Sequence, residues 1–216
     1  MFNAWNKALG PGIDVIPVEI LNRERFSTLK QLVDEVDDQL RPALEGPHAF
    51  FGHSFGALLA YRLACLRAES RSALPRALMV SSFAPPHLPP PIPAVDHLDD
   101  HQLKTMLSTL GGIPPELDDW PALRDRAVEA ARIDLRLCMT DNEIAPVALP
   151  CPIHAFGGDD DPLVTESDLT EWQTRTSGQF AVHVLRGGHF YLNDGPQLTT
   201  LLIRLLSRLP AASQKC

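Results

Sequence analysis

Ser54 lies within Gly52-His53-Ser54-Phe55-Gly56, a serine with glycine two residues before and two residues after it. The five-residue string is weak alone, and its surroundings sharpen it. An apolar run, His48 to Phe51, leads into it, and ALLAYRLACLRAE follows with the composition and length of a helix starting at the glycine turn. That is the place of a nucleophile elbow, a tight strand-to-helix turn that strains the serine backbone and leaves the hydroxyl at its apex. Residues two before and two after such a serine crowd together, so the spacing predicts that both must be tiny. The Phe55 N–H, at the helix start, would face the space in front of the hydroxyl and could donate to an oxyanion there. A plain glycine-rich turn is the other reading of the same string.

A serine hydroxyl needs a base, and the base needs an orienting acid. After an elbow serine these come in the order acid, then histidine, from loops at the carboxyl ends of later strands. Two loops answer: Gly157-Gly158-Asp159-Asp160-Asp161-Pro162-Leu163-Val164 and Gly187-Gly188-His189-Phe190. Asp161 is the expected acid because it stands just before a proline-led turn, with Asp160 as runner-up. At least one of the three aspartates reads as a solvated turn or a helix cap. Adjacent carboxylates in a loop rarely converge on a cation without further ligands, so a metal is not expected there. Among eight histidines His189 alone stands in the right kind of loop. His154 in PIHAF and His183 in AVHVL fall inside strands, where a structural role is expected. His53 reads as shaping the pocket, and His87, His97 and His101 as solvated.

The elements that must position these residues can be read from periodicity. Strands are expected at Ile13 to Val18, His48 to Phe51, Ala77 to Ser81, Ile153 to Phe156 and Ala181 to Leu185. Leu29, Leu32, Val33, Val36 and Leu40 make one helical face after Thr28, stopped by Gly46-Pro47. Helices are also expected over Asp99 to Leu110, Trp120 to Met139, Thr165 to Thr176 and along the leucine face from Leu198 to Leu209. Strands joined by such helices predict a mainly parallel sheet covered on both faces. The proline-rich APPHLPPPIP and the two helices after it interrupt the alternation, so residues 84–147 are expected to be a helical lid insertion within one domain, 1–216.

With 216 residues and a formal charge of −8, the chain is long enough for a sizeable core and poorly suited to nucleic acid or an anionic membrane. No apolar run approaches a membrane span and MFNAWNKALG lacks the regions of a signal peptide, so a cytoplasmic protein is expected. Cys65, Cys138, Cys151 and Cys216 lack CxxC spacing and read as free thiols.

Several segments resemble the type II thioesterases of nonribosomal peptide and polyketide assembly lines. GHSFGALLAYRLA is similar to the family's GHSMGALLAFELA, APPHLP (84–89) to APHLP, and LGGIPPEL (110–117) to LGGTPPEL. PIHAFGGDDDPLV, LTEWQTRTSGQF and GGHFYL match its GGxDDxxV, W and GGHFFL signatures in order. The resemblance implies an α/β-hydrolase fold and hydrolysis of acyl thioesters on the phosphopantetheine arm of an acyl- or peptidyl-carrier protein, with removal of aberrant or stalled groups. It transfers the nucleophile to Ser54, the acid to Asp161 and the base to His189. It implies no metal or redox cofactor, and a monomer is expected.

Two departures stand out. The family's opening strand and PHAGG-like loop, the source of a second oxyanion donor, have no counterpart, and Phe2-x-x-Trp5 matches residues just after that loop. The missing strand, about 15 to 30 residues with its turn, would lie between those expected at 13–18 and 48–51. LNRERF (21–26) also lacks the Pro-Gly of the family's LPGRxxRF. A degraded, weakly active copy and a silent carrier-binding homologue are therefore alternatives, as is a serine esterase of small free esters. Arg62, Arg67, Arg71 and Arg76 could form a basic docking face. Arg132 and Asp134 resemble a family Arg-Ala-Asp and read as structural ion pairing.

Overall fold

The structure is a computed structural model and describes residues 5–89, 97–141, 148–193 and 195–209. Its centre is an all-parallel sheet of β1 (Phe50–His53), β2 (Leu78–Ser81), β3 (Ile153–Gly158) and β4 (Phe180–Leu185), in that spatial order. All four residues of β2, LMVS, are buried, as a strand covered on both faces requires.

Each face has its own apolar layer. On one, Leu32 and Val36 of α2 (Leu29–Leu40) and Leu58 and Ala64 of α3 (Phe55–Glu69) meet Val80, Ile153 and Ala155. On the other, Trp5 of α1 (Trp5–Leu9) and Leu198 and Leu202 of α7 (Gln197–Leu206) meet Met79 and Phe156. The Thr28 side chain caps α2 by accepting the Gln31 N–H, which satisfies one of the helix's unpaired donors.

The segment expected as a strand at Ile13 to Val18 is not one. Ile13 and Val15 pack on the α1/α7 layer while Ile16 and Val18 are exposed, so the segment is half-buried rather than buried. No strand pairs with it among the described residues. Instead Asn6 acts as its partner: Val15 donates its N–H to Asn6 Oδ1 at 2.8 Å, and Asn6 Nδ2 donates to the Val15 carbonyl at 3.2 Å. The expected helix at Thr165 to Thr176 is likewise two pieces, α6 (Glu166–Thr170) and a 3₁₀ turn, Glu171–Arg175. Tightening to three residues per turn aligns Trp172 with Arg175, and both are buried. The Trp172 indole N–H donates to the Phe83 carbonyl at 2.7 Å, tying this turn to the chain leaving β2.

Between β2 and β3 lie α4 (Asp100–Thr109), a 3₁₀ turn (Pro115–Asp119) and α5 (Pro121–Met139). They hold a small core of Leu103, Ile113 and Val128. Arg132 and Asp134 enter different ion pairs. Arg132 donates to the Leu98 carbonyl at 2.8 Å and to Asp100 at 2.7 Å, closing α5 on α4. Asp134 accepts from Arg23 at 2.6 Å, which fastens the 21–26 segment to α5. Residues 90–96 and 142–147 of the expected insertion, and also Phe2 and Cys216, lie outside the described residues. No helix among the described residues is long and apolar enough to cross a membrane.

Candidate active site

Ser54 lies between β1 and α3 with φ 53° and ψ −125°, a left-handed backbone that L side chains adopt only under constraint. The constraint is visible on both sides. The Ser54 N–H donates to the Ser81 carbonyl at 2.8 Å, continuing the β1–β2 ladder one residue past the strand. A Cβ on Gly52 would lie 2.0 Å from the Gly56 carbonyl oxygen, so position 52 admits only glycine. Position 56 differs from the expectation: a Cβ there meets nothing within 4 Å. The crowding is one-sided, because the Gly52 Cα faces the Gly56 backbone while the Gly56 Cα faces open space.

The loops after β3 and β4 bring the other two expected residues to this serine. The ring of His189 is buried, with Nε2 3.2 Å from Ser54 Oγ and Nδ1 2.9 and 3.1 Å from the two Asp161 oxygens. The carboxylate can only accept, so Nδ1 carries the hydrogen and Nε2 is left to accept the serine proton. Asp161 also accepts the Leu163 N–H at 2.9 Å. Burial alone would raise its pKa, but the hydrogen bond and charge of His189, with the Leu163 N–H, hold the carboxyl below its ordinary range.

The neighbouring aspartates have other surroundings. Asp159 accepts the Gly187 N–H at 2.8 Å and so joins the two loops, and Asp160 is exposed. The loops approach so closely that a Cβ on Gly158 would lie 2.1 Å from the Gly187 carbonyl oxygen. Among the described residues no three His, Cys, Asp or Glu side chains come together as a cation site. Phe55 begins α3, and its N–H belongs to the helix's first turn, where donors have no intrahelical acceptor.

Sequence reasoning missed Ser81, Ser82 and Tyr191. Ser82 donates to the His189 carbonyl at 3.2 Å, and Ser81 lies between His53 Nδ1 at 3.0 Å and the Tyr191 hydroxyl at 2.7 Å. The available signal was two consecutive serines ending an apolar strand, a polar step that a buried strand end shows only when partners wait for it. The expected basic face is not formed as read. Arg62 is paired with Asp141 and Arg67 with Asp37, each at 2.6 Å, and both arginine side chains are largely buried in these contacts.

Residues 1–209 match a family model described as a thioesterase domain. Linear gramicidin dehydrogenase LgrE of Brevibacillus parabrevis is 32% identical over 203 residues, 90% of this chain and 77% of that protein. Thioesterase PikA5 of Streptomyces venezuelae is 30% identical over 200 residues, covering 89% and 71% of the two chains. Among solved structures, RedJ, a thioesterase from the prodiginine biosynthetic pathway in Streptomyces coelicolor, superposes with a TM-score of 0.84 at 35% identity, over 95% of this chain and 79% of that one. With an elbow serine, a buried histidine and a carboxylate on such a sheet, and with likeness over nearly its whole length, the chain belongs to the thioesterase domain family and is a thioester hydrolase of the α/β-hydrolase fold.

Proposed function

We propose that this protein hydrolyses acyl thioesters carried on the phosphopantetheine arm of acyl- or peptidyl-carrier proteins, clearing aberrant or stalled groups from a nonribosomal peptide or polyketide assembly line. The observation that carries the reading is the hydrogen-bond chain from Ser54 Oγ through His189 to Asp161 at a strained elbow. The named relatives PikA5 and RedJ, a thioesterase and a thioesterase of a biosynthetic pathway, support the setting.

In this reading His189 Nε2 takes the Ser54 proton as Oγ attacks the thioester carbonyl carbon. The resulting oxyanion accepts from the Phe55 N–H, and Asp161 stabilises the imidazolium. Collapse breaks the carbon–sulfur bond, and His189 returns the proton to the departing sulfur as a thiol. Water then loses a proton to His189 and attacks the acyl-serine. The second collapse frees the carboxylic acid and restores Ser54. Residues 97–141 serve as a lid over this centre, a reading supported by the packing of Gly112 against Phe190, next to His189. Docking of a carrier falls to surfaces other than Arg62 and Arg67, whose charges are already paired.

Turnover of an acyl-carrier protein, an acyl-CoA and a nitrophenyl ester tests the proposal. Preference for the carrier-bound thioester is expected, and equal or better turnover of the free ester would make the protein an esterase instead. Ser54→Ala is expected to lower kcat at least about 10⁴-fold and to abolish labelling by a fluorophosphonate. An unlabelled wild-type Ser54 would mark a silent binding protein.

A further inference from the structure

His53 stands beside Ser54 and outside the hydrogen-bond chain that activates it, yet it is held in a second one. Its Nδ1 meets the Ser81 hydroxyl at 3.0 Å, which meets the Tyr191 hydroxyl at 2.7 Å. Ser81 and Tyr191 are buried. This second chain joins the end of β1, the end of β2 and the loop after β4. The same loop carries His189, two residues before Tyr191.

The direction of the hydrogens follows from counting what each arrangement leaves unpaired. If Tyr191 donates to Ser81 and Ser81 donates to His53 Nδ1, both hydroxyl hydrogens are used and only the His53 Nε2–H lacks a partner. The reverse direction strands the Tyr191 hydrogen and a bare Nε2 as well. Nε2 is out of contact with solvent and has no hydrogen-bond partner, and the Phe190 ring centre is 5.0 Å from that of His53.

The ring is also held neutral. Burial, with His189 at a ring separation of 5.2 Å, pushes its pKa down to about 3 against a smaller opposing pull from Asp161. The neutrality matters because His189 must itself become cationic when it takes the Ser54 proton, and a second cation at that distance would oppose the step.

We propose that His53 is a positioning residue for the thioesterase reaction: through Ser81 it holds Tyr191, and with Tyr191 the His189 loop, where Nε2 reaches Ser54 Oγ. The proposal rests on the catalytic reading of Ser54, His189 and Asp161. The Ser54 to His189 contact is already 3.2 Å, near the outer limit of a hydrogen bond, so a small displacement breaks it. A displacement of about 1 Å can lower turnover by about 10²-fold.

His53→Leu removes Nδ1, the acceptor that fixes the direction of the Ser81 hydroxyl, and so loosens the hold of Ser81 on Tyr191. It is expected to lower kcat about 10- to 100-fold with KM changed less than about threefold, and to slow fluorophosphonate labelling of Ser54 by the same factor. His53→Asn puts an acceptor near the place of Nδ1 and is expected to recover most of the loss. Adding Tyr191→Phe to His53→Leu should cost less than about a further twofold, because both break one connection. Labelling of folded His53→Leu at the wild-type rate would overturn the proposal, as would losses that multiply in the double variant. Should His53→Leu fail to fold, Tyr191→Phe, which removes one oxygen, carries the test, and wild-type kcat in that variant overturns it. Undiminished turnover in Ser54→Ala would instead overturn the catalytic reading, whatever the His53 variants do.

Discussion

A methyl group on Gly52 would have to occupy the space of the Gly56 carbonyl, 2.0 Å away, whereas one on Gly56 would point into the open. The two glycines of the elbow therefore respond oppositely to substitution. Gly52→Ala meets backbone that no rotamer change can clear, and it is expected to cost about 3 kcal/mol or more, near 10 °C in thermal midpoint. Gly56→Ala falls in the first turn of α3 and is expected to leave the midpoint unchanged or raise it, alanine being the better helix former by up to about 1 kcal/mol. Thermal unfolding of the two variants checks this, and an equal loss in both would contradict it. Ser54, Asp161 and His189 were legible from the chain because each stands in a loop announced by glycines after an apolar run. The place of Asp161 before Pro162 favoured it over Asp160, and the fold turns Asp161 inward while Asp160 stays exposed. The contact between Ser81 and Tyr191 spans 110 residues, and no local spacing encodes it.

Among the elements, four of the five expected strands form, and the fifth shows where the reading of pattern stops. The β-branched content of Ile13 to Val18 predicts a buried strand, but pairing depends on a neighbour, and here the neighbour is the Asn6 side chain while Ile16 and Val18 are exposed. The two helices between β2 and β3 were readable from their turns, and their link to the site was not. That link is tight: a Cβ on Gly112 would lie 2.8 Å from Cε2 of Phe190, next to His189. Gly112→Ala is therefore expected to push the ring and lower kcat about tenfold. Shortening the ring in Phe190→Leu makes room, so Gly112→Ala should cost much less in that background than in the wild type. Comparing kcat across the four proteins measures the coupling between α4–α5 and the histidine loop, and independent effects would show that the contact does not transmit position.

For the molecule as a whole, acid should act through partly buried histidines before it reaches most of the carboxylates that make its charge −8. Burial lowers the pKa of His48, His154 and His183, and takes His53 to about 3. His154 Nδ1 and His183 Nε2 are 3.1 Å apart, so the two rings can share one hydrogen but repel if both are charged. Below pH 6.5, the ordinary histidine value, the unfolded chain takes up protons that the folded chain refuses. Stability must fall with pH in that window, by about 1.4 kcal/mol per pH unit for each fully refused proton. Asp134 works the other way, because burial, only partly offset by Arg23, raises its pKa to about 6. Its folded form protonates before its unfolded form, so it gains stability as pH falls from 6 towards 3.8. One carboxyl raised by about two units is outweighed by His53 alone, lowered by more than three, before the other histidines are counted. The thermal midpoint is thus expected to fall from pH 7 to pH 5. The fall should be shallower in His183→Gln, which removes a refused proton, and steeper in Asp134→Asn, which removes the opposing gain. Unfolding curves at pH 7, 6 and 5 decide it: a midpoint that holds level or rises on acidification would mean that these rings are not kept neutral by the fold.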